Sequence, residues 1–315
     1  MRNATAIAPL LALCLLATAA TPAPAQQRLR ERIAQRMEQR RGHDAPAASA
    51  LPAGTRVERD IAYGPDPKQR YDVYLPARAR PDTPILFMVH GGGWRNGDKR
   101  MRNVVGNKAA YWLERGFVFV SVDYRLEPEA DPLRQARDVA AALASMQRRA
   151  RQWNADPAKT ILMGHSAGAH LVALLGSDPD GLLRQAGARR PLGVVSLDSG
   201  ALDVPALMGQ PRLPQLYRDA FGSDPAYWRS ASPQQQLSRN GLPMLLVCSS
   251  TRRVPTSPCD EARKFARRAG ALSVPMQVMP EPLEHGEIND RLGLPSAYTR
   301  AVSDWIDRAL MQVRR

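Results

Sequence analysis

The chain carries a serine in a glycine-flanked pentapeptide, Gly164–Gly168, which reads GHSAG. An apolar segment with strand character, TILMGH, precedes Ser166, and an apolar segment with helical character, AGAHLVALLG, follows it. A G-x-S-x-G sequence between a strand and a helix is typical of a nucleophile elbow, a tight turn that lifts the serine hydroxyl above the edge of a sheet. The helix N-terminus behind the serine favours developing negative charge. We therefore expect Ser166 to attack a carbonyl carbon.

A glycine triplet, Gly91–Gly93, follows the apolar run PILFMVH about 75 residues before the serine. Glycine lets a backbone approach a substrate closely, and backbone N–H groups are suitable donors to an oxyanion. The expected donors are the N–H groups of Gly92 and Gly93, together with that of Ala167, directly after the serine. One such donor typically stabilises a transition state by about 3–4 kcal/mol.

Together these motifs resemble the α/β-hydrolase fold, and most of all its esterase/lipase branch that carries HGGG, which includes feruloyl-esterase-like proteins and arylformamidases. The residues that carry the resemblance are HGGGW at His90–Trp94, VDYRL at Val122–Leu126 and the GHSAG pentapeptide. The resemblance covers roughly residues 57–312. It implies a serine hydrolase that acts on carboxylic esters or, less often, on formamides, and it places Trp94 and Tyr124 in or behind the pocket.

The chain has five histidines, of which His285 is the predicted general base. It follows the last predicted strand and precedes the final helix, which matches the order serine, acid, histidine of α/β-hydrolases. An imidazole there could take the serine proton and return it to the leaving group. The spacing around it does not suggest a metal site, HExxH is absent, and we expect neither a metal nor another cofactor. The remaining histidines are predicted to have structural or linker positions: His43, His90, His165 and His170.

A carboxylate is needed to hold the imidazole in the right tautomer and to stabilise the imidazolium. In most of the resembling proteins it follows the strand that corresponds to MLLVCSS, but Arg252 and Arg253 occupy that neighbourhood here. The first candidate is Asp260, although it could simply complement the dipole of the next helix. The others are Asp198, at the end of the preceding predicted strand, then Asp203, or none of the three.

Strand and helix patterns alternate from residue 57 onward, which predicts a mainly parallel central sheet with helices on both faces. Two strands, RVERDIAY and RYDVYLP, come first, and an amphipathic helix closes the chain. The stretch 202–242 is rich in Pro, Gln and Arg and lies between two predicted strands, where a lid or specificity insertion is expected. The sequence predicts one hydrolase domain over residues 53–315.

The first 25 residues have the pattern of a secretory signal peptide: Arg2, an Ala- and Leu-rich run, and APA before Gln26. Residues 26–52 form a basic tail and a Pro/Ala linker. We therefore expect a periplasmic or secreted protein, without stable membrane insertion. After removal of the leader, which contains Cys14, the two remaining cysteines, Cys248 and Cys259, are predicted to form a disulfide. That bridge would draw Asp260 back toward the end of its strand.

The net charge of +14 is strongly basic, but the arginines are spread along the chain without the compact basic and aromatic pattern of a nucleic-acid module. No nucleic-acid partner is expected. The favoured function is a serine hydrolase that cleaves small carboxylic esters through an acyl-enzyme. The alternatives are an arylformamidase or amidase with the same residues, or a non-catalytic binding protein that keeps the fold.

Overall fold

The computed structural model describes residues 50–178, 180–253 and 256–311. The predicted signal peptide, and the basic tail up to residue 49, lie outside the described residues. In the part of the chain that is described, no helix is both long enough and apolar enough to cross a membrane.

One central sheet contains the strands β1 to β8, in the spatial order β1-β2-β4-β3-β5-β6-β7-β8. β1 pairs with β2 and β2 pairs with β4 in antiparallel register. The other six strands, β4-β3-β5-β6-β7-β8 in spatial order, are all parallel to one another. The strands span Arg56–Ala62, Arg70–Leu75, Thr83–Val89, Val118–Val122, Ala155–His165, Gly193–Leu197, Met244–Ser249 and Met276–Glu281. The predicted mainly parallel sheet and its two leading strands are confirmed, and the structure shows that these two strands are antiparallel.

Two hydrophobic cores cover the two faces of the sheet. Alternate residues of β3 divide between them: Ile85, Phe87 and Val89 belong to one core, while Leu86 and Met88 belong to the other. Successive strand side chains point to opposite faces, so a strand that is apolar at every position must be covered on both sides. This explains why the central strands read as continuous apolar runs.

Helices pack against both faces of the sheet. The longer ones are α1 (Arg102–Glu114), α2 (Pro132–Arg149), α3 (Ala167–Ser177), α9 (Pro258–Ala271) and α11 (Ala297–Met311). The first and last of these pack in the core that holds Leu86, and the other three pack in the core that holds Phe87. The short helices are α4 (Leu182–Gln185), α5 (Val204–Met208), α6 (Gln215–Phe221), α7 (Pro225–Ser230), α8 (Pro233–Gln236) and α10 (His285–Asp290).

The insertion at 202–242 folds into the four short helices α5 to α8, each of which begins at or beside a proline. Leu207, Leu213 and Phe221 are buried and join the core of one sheet face. The insertion is therefore packed against the domain, and Leu216 and Tyr217 bring its α6 to the wall of the cavity described below. Motion of this segment as a lid stays a prediction.

The predicted disulfide is present: the sulfurs of Cys248 and Cys259 lie 2.02 Å apart and join β7 to α9. Both residues are buried. The bridge therefore ties α9 to β7, the two elements on either side of the loop that contains Arg252.

Candidate active site

Ser166 occupies the turn between β5 and α3. Its φ of 56° and ψ of −117° are rare for a non-glycine residue, and its N–H donates to the Leu197 carbonyl at 3.0 Å. The motif glycines are sterically required, because a Cβ on Gly164 would lie 2.4 Å from the Gly168 oxygen and one on Gly168 would lie 2.3 Å from the Val89 oxygen. The turn therefore has the geometry of the predicted nucleophile elbow.

His285 begins α10, which follows β8 at the same carboxyl edge of the sheet. Its Nε2 lies 3.0 Å from Ser166 Oγ. A capping box between Glu284 and Glu287 fixes the start of the helix, with the Glu284 N–H donating to the Glu287 carboxylate at 3.0 Å. His165 Nε2 lies 2.9 Å from the His285 carbonyl and donates to it, because a carbonyl oxygen only accepts. The predicted base is thus placed beside the predicted nucleophile.

Asp198 follows β6 and is fully buried. Its Oδ2 lies 2.6 Å from His285 Nδ1, and its Oδ1 accepts the Ser249 N–H at 2.7 Å. Burial opposes ionisation of this carboxyl, yet the hydrogen bond from His285, the charge of Arg252 and the Ser249 N–H together lower the pKa of Asp198 to about 2. The carboxylate is therefore ionised at neutral pH and holds the proton on His285 Nδ1, which leaves Nε2 as an acceptor toward Ser166.

The structure corrects the placement expected for Asp260. It lies in the first turn of α9 with a largely exposed side chain that pairs with Arg263 at 2.8 Å. The disulfide turns Cys259 toward the sheet, and consecutive residues of an α-helix point about 100° apart, so Asp260 faces solvent. Asp203, the third candidate, accepts a hydrogen bond from Gln234 at 2.9 Å. The second candidate, Asp198, is the carboxylate that contacts His285.

Arg252 lies where the resemblance predicted a carboxylate, and its contact with Asp198 was not predicted from the sequence. Its Nη2 lies 3.0 Å from Asp198 Oδ2, the same oxygen that contacts His285. The side chain is 15% exposed and lies in the wall of the cavity above Ser166. Arg252 thus gives the buried carboxylate of a neighbouring strand a counter-charge, a pairing that only the folded chain brings together.

The glycine loop follows β3 and borders Ser166. Gly92 has φ of 121° and Gly93 has φ of 60°, and a Cβ on Gly92 would lie 2.1 Å from the Asn96 carbonyl oxygen. The Gly92 carbonyl accepts the Asn96 N–H at 2.9 Å, so the loop is closed by its own backbone. Gly92, Gly93 and Ala167 all line the cavity with Ser166.

Buried polar residues behind the loop hold it in place. The His90 carbonyl accepts the Tyr124 hydroxyl at 2.9 Å, and the two rings stack with centroids 4.4 Å apart. His90 Nε2 lies 3.3 Å from Asp123, whose carboxylate also accepts the Lys99 N–H at 2.7 Å. His90 and Tyr124 thus support the loop from the core.

His170 is part of the core beneath the cavity. Its Nε2 donates to the Ala231 carbonyl at 2.7 Å, and its Nδ1 accepts the Trp94 Nε1–H at 3.3 Å. Burial lowers the pKa of His170 to about 4. The neutral imidazole that results suits these two partners, so the structural role expected for His170 agrees with the geometry. Trp94 also reaches the cavity wall while its ring is buried.

The cavity above Ser166 has a volume of about 700 Å³. Apolar and polar groups share its wall, and both the glycine loop and the insertion contribute to it. Besides the residues already described, the wall includes Met101, Val104, Leu216, Arg102 and Asn103. This is the size of a site for a small organic molecule.

Comparison with known proteins agrees with this geometry. Residues 71–185 match the BD-FAE family. Esterase LipC of Mycobacterium tuberculosis is 30% identical over 240 residues, which cover 68% of this chain and 55% of LipC. Kynurenine formamidase of Danio rerio is 33% identical over 134 residues, which cover 40% of this chain and 43% of the formamidase. The chain spans about a quarter to about a half of the length of the curated relatives it matches.

Among solved structures, esterase B of Lactobacillus rhamnosis superimposes with a TM-score of 0.72 at 21% identity, over 91% of this chain and 95% of that one. This likeness covers most of the chain and establishes the fold. The chain therefore has the α/β-hydrolase fold, and its GHSAG elbow, its HGGG loop and the match over residues 71–185 make it similar to the HGGG-bearing esterase/lipase branch of that fold.

Proposed function

We propose that this protein is a serine hydrolase that cleaves carboxylic esters through an acyl-enzyme intermediate. The observation that carries the proposal is the hydrogen-bonded series Ser166 Oγ, His285 and Asp198, with contacts of 3.0 Å and 2.6 Å, at the floor of a small-molecule cavity. A nucleophile, its base and the group that orients the base are the parts that acyl transfer requires.

In the acylation step, His285 Nε2 takes the Ser166 proton as Oγ bonds to the ester carbonyl carbon. The carbonyl oxygen becomes an oxyanion. When the tetrahedral centre collapses, the bond to the alcohol oxygen breaks, and the alcohol leaves with the proton from His285. In deacylation, water takes the place of the alcohol, His285 removes its proton, and Ser166 leaves with that proton as the acid product forms.

The oxyanion is assigned to the N–H groups of Gly92, Gly93 and Ala167. All three residues line the cavity beside Ser166, and Ala167 begins α3, so the positive end of the helix dipole lies behind it. Asp198 stabilises the imidazolium that forms on His285, and Arg252 balances the charge of Asp198 when the imidazole is neutral. These backbone N–H groups and charged side chains are already in place before the substrate binds. Electrostatic stabilisation of a transition state requires such preorganised groups.

Hydrolysis of a p-nitrophenyl butyrate solution tests the proposal, with Ser166→Ala as the control. The purified protein is expected to release p-nitrophenol with saturation kinetics, and the variant is expected to lose all but a residual rate, at least about 10³-fold lower. Equal rates for the two folded proteins would contradict the assignment.

An arylformamidase activity with the same residues is the second candidate. It is supported by the similarity to a protein named kynurenine formamidase over 134 residues. An N-formyl-aryl substrate measured beside the ester separates the two, because the same Ser166 attack then releases an arylamine. A purely binding function, the third alternative, predicts turnover of neither substrate.

We also propose that the protein works in the periplasm or outside the cell. The Cys248–Cys259 disulfide supports an oxidising compartment, and the leader pattern of residues 1–25 supports export. Expression of the full chain in a bacterium, followed by fractionation and N-terminal sequencing, tests this. A mature protein that starts near Gln26 outside the cytoplasm is the expected result, and a full-length cytoplasmic protein would contradict it.

A further inference from the structure

Three polar side chains converge on one point of the cavity beside the catalytic carboxylate. A methyl group built on Gly200 would lie 3.3 Å from Tyr217 Oη, 3.4 Å from Arg252 Nη1 and 3.4 Å from Thr256 Oγ1. Gly200, Tyr217 and Arg252 line the cavity wall, and Thr256 is buried behind them. We call these four residues the polar corner.

The guanidinium of Arg252 has hydrogen-bonding capacity that the protein uses only in part. Nη2 pairs with Asp198 Oδ2 at 3.0 Å, the guanidinium also interacts with the Tyr217 hydroxyl, and Nη1 lies beside the space next to Gly200. The Nε–H is buried and, within the described ranges of the chain, makes no hydrogen bond. A guanidinium offers five donors in a planar fork that matches a carboxylate. The Tyr217 hydroxyl next to it accepts from Arg252 and so keeps its own proton to donate, whereas the Thr256 hydroxyl interacts with Glu261.

The nearby carboxyl of Glu261 offsets the charge of Arg252 only in part near neutral pH. Glu261 lies in α9, and its Oε2 accepts the Leu202 N–H at 3.3 Å. Burial raises the pKa of Glu261 to about 7, against the opposing effects of the Thr256 hydroxyl, the Leu202 N–H and the charge of Arg252. A large fraction of Glu261 is therefore protonated at pH 7. The negative charge of Asp198 is meanwhile shared between Arg252 and His285.

We propose that the polar corner binds a carboxylate carried by the substrate, so that esters with a free carboxylate a few carbons from the scissile bond are preferred over neutral esters. This inference rests on the proposed esterase function and names its substrate class. Contacts of 3.0, 2.6 and 3.0 Å lead from Ser166 through His285 and Asp198 to Arg252. Ser166 and the polar corner line the same 700 Å³ cavity, so the esters that test the inference are short diacid monoesters.

The test compares matched ester pairs that differ only in one carboxylate. On the acyl side, mono-p-nitrophenyl glutarate is compared with p-nitrophenyl pentanoate. On the alcohol side, meta-acetoxybenzoate is compared with phenyl acetate. The readout is the ratio of kcat/KM for the anionic ester to kcat/KM for the neutral ester. For the wild-type protein, a ratio of about 10 to 100 is expected in one of the two pairs. Charge-assisted hydrogen bonds to one carboxylate typically give a preference of this size.

Three variants probe the corner in different ways. Arg252→Gln removes the charge, and the ratio is expected to fall to about one. Tyr217→Phe removes a hydroxyl, and Gly200→Ala places a methyl group in the space between the polar atoms while keeping every charge; each is expected to lower the ratio several-fold. Gly270→Ala is the matched control, because nothing lies within 4 Å of a Cβ there, and it should keep the wild-type ratio.

Two results would overturn the inference. One is a wild-type ratio near one in both pairs. The other is an Arg252→Gln variant that slows the anionic and neutral esters equally, since Arg252 would then act only through Asp198. Thermal unfolding of each variant confirms that it is folded. If the wild-type protein hydrolyses none of the four esters, the proposed function itself fails, whereas turnover of neutral esters without a carboxylate preference refutes this inference alone.

Discussion

Replacing Asp198 by asparagine removes one charge and keeps the size of the side chain. Both carboxylate oxygens receive donors in the structure: Oδ1 receives the Ser249 N–H, and Oδ2 faces both His285 and Arg252. An amide has only one acceptor oxygen, so its NH₂ group must face either Ser249 or the pair of His285 and Arg252. In the second orientation the imidazole is forced into the tautomer whose Nε2 carries a hydrogen, and Ser166 loses its base. In the first orientation the tautomer is kept, but the amide NH₂ opposes the Ser249 N–H and the imidazolium that forms on His285 loses its charged partner.

The magnitude follows from the same contacts. Loss of the tautomer control is expected to lower kcat/KM for a neutral p-nitrophenyl ester by about 10³- to 10⁴-fold, or about 4–5.5 kcal/mol. The ionised carboxylate also contributes to stability, because its pKa is lowered from 3.8 to about 2 in the folded state. That contribution is present above pH 3.8 and is lost as the pH falls toward 2, so Asp198→Asn should also cost about 2 kcal/mol of unfolding free energy at pH 7.

The assay is steady-state hydrolysis at pH 7.5, with urea unfolding of the same samples. Asp260→Asn is the matched control, because Asp260 is an exposed carboxylate that pairs with Arg263, and its kcat/KM should stay within a few-fold of the wild-type value. If Asp198→Asn stays within tenfold of wild type while Asp260→Asn loses orders of magnitude, the reasoning from the structure is refuted.

Three further predictions test the surroundings of the site. Gly92→Ala should reduce kcat by at least about 10²-fold in a folded protein, because its Cβ would lie 2.1 Å from the Asn96 oxygen at a φ of 121°; a rate near wild type would disprove this. Reduction of the Cys248–Cys259 disulfide should lower the free energy of unfolding in urea by about 2–3 kcal/mol. An unchanged free energy of unfolding would show that the bridge does not stabilise the fold. Burial lowers the pKa of His170 to about 4, so the unfolded chain takes up a proton at His170 before the folded protein does, and His170 alone should lower the free energy of unfolding by about 2–3 kcal/mol between pH 7 and pH 4.5. A folded His170→Gln variant should lose that part of the pH dependence, and an identical pH dependence in both proteins would contradict the assignment.

Much of the fold was predictable because its signals are local. The continuous apolar runs of β3 to β7 indicated strands buried on both faces, and the strand–GHSAG–helix pattern gave the elbow directly. The helices of the insertion and α10 were not predictable in the same way. They are four to seven residues long, too short for a helical period to appear, and they begin at prolines or at a capping box.

The candidate site was predictable where a residue's role follows from chain order, as for Ser166 and His285. The acid could not be chosen, because Asp198 and Asp260 both follow strands or begin helices near the right place. Their difference is three-dimensional: Asp198 turns inward at a φ of 53°, while the helical rotation after Cys259 turns Asp260 outward. The ion pair of Arg252 with Asp198 joins residues 54 positions apart, which no local pattern encodes.

Labelling with a fluorophosphonate shows whether Ser166 is an activated nucleophile, since this reagent reacts with a serine only when a base and an oxyanion site activate it. Peptide mass spectrometry should find one adduct, on Ser166, in the wild-type protein. It should find none in Ser166→Ala, and labelling of His285→Asn should be slower by orders of magnitude. A folded wild-type protein that remains unlabelled, or an adduct on another serine, would contradict the account.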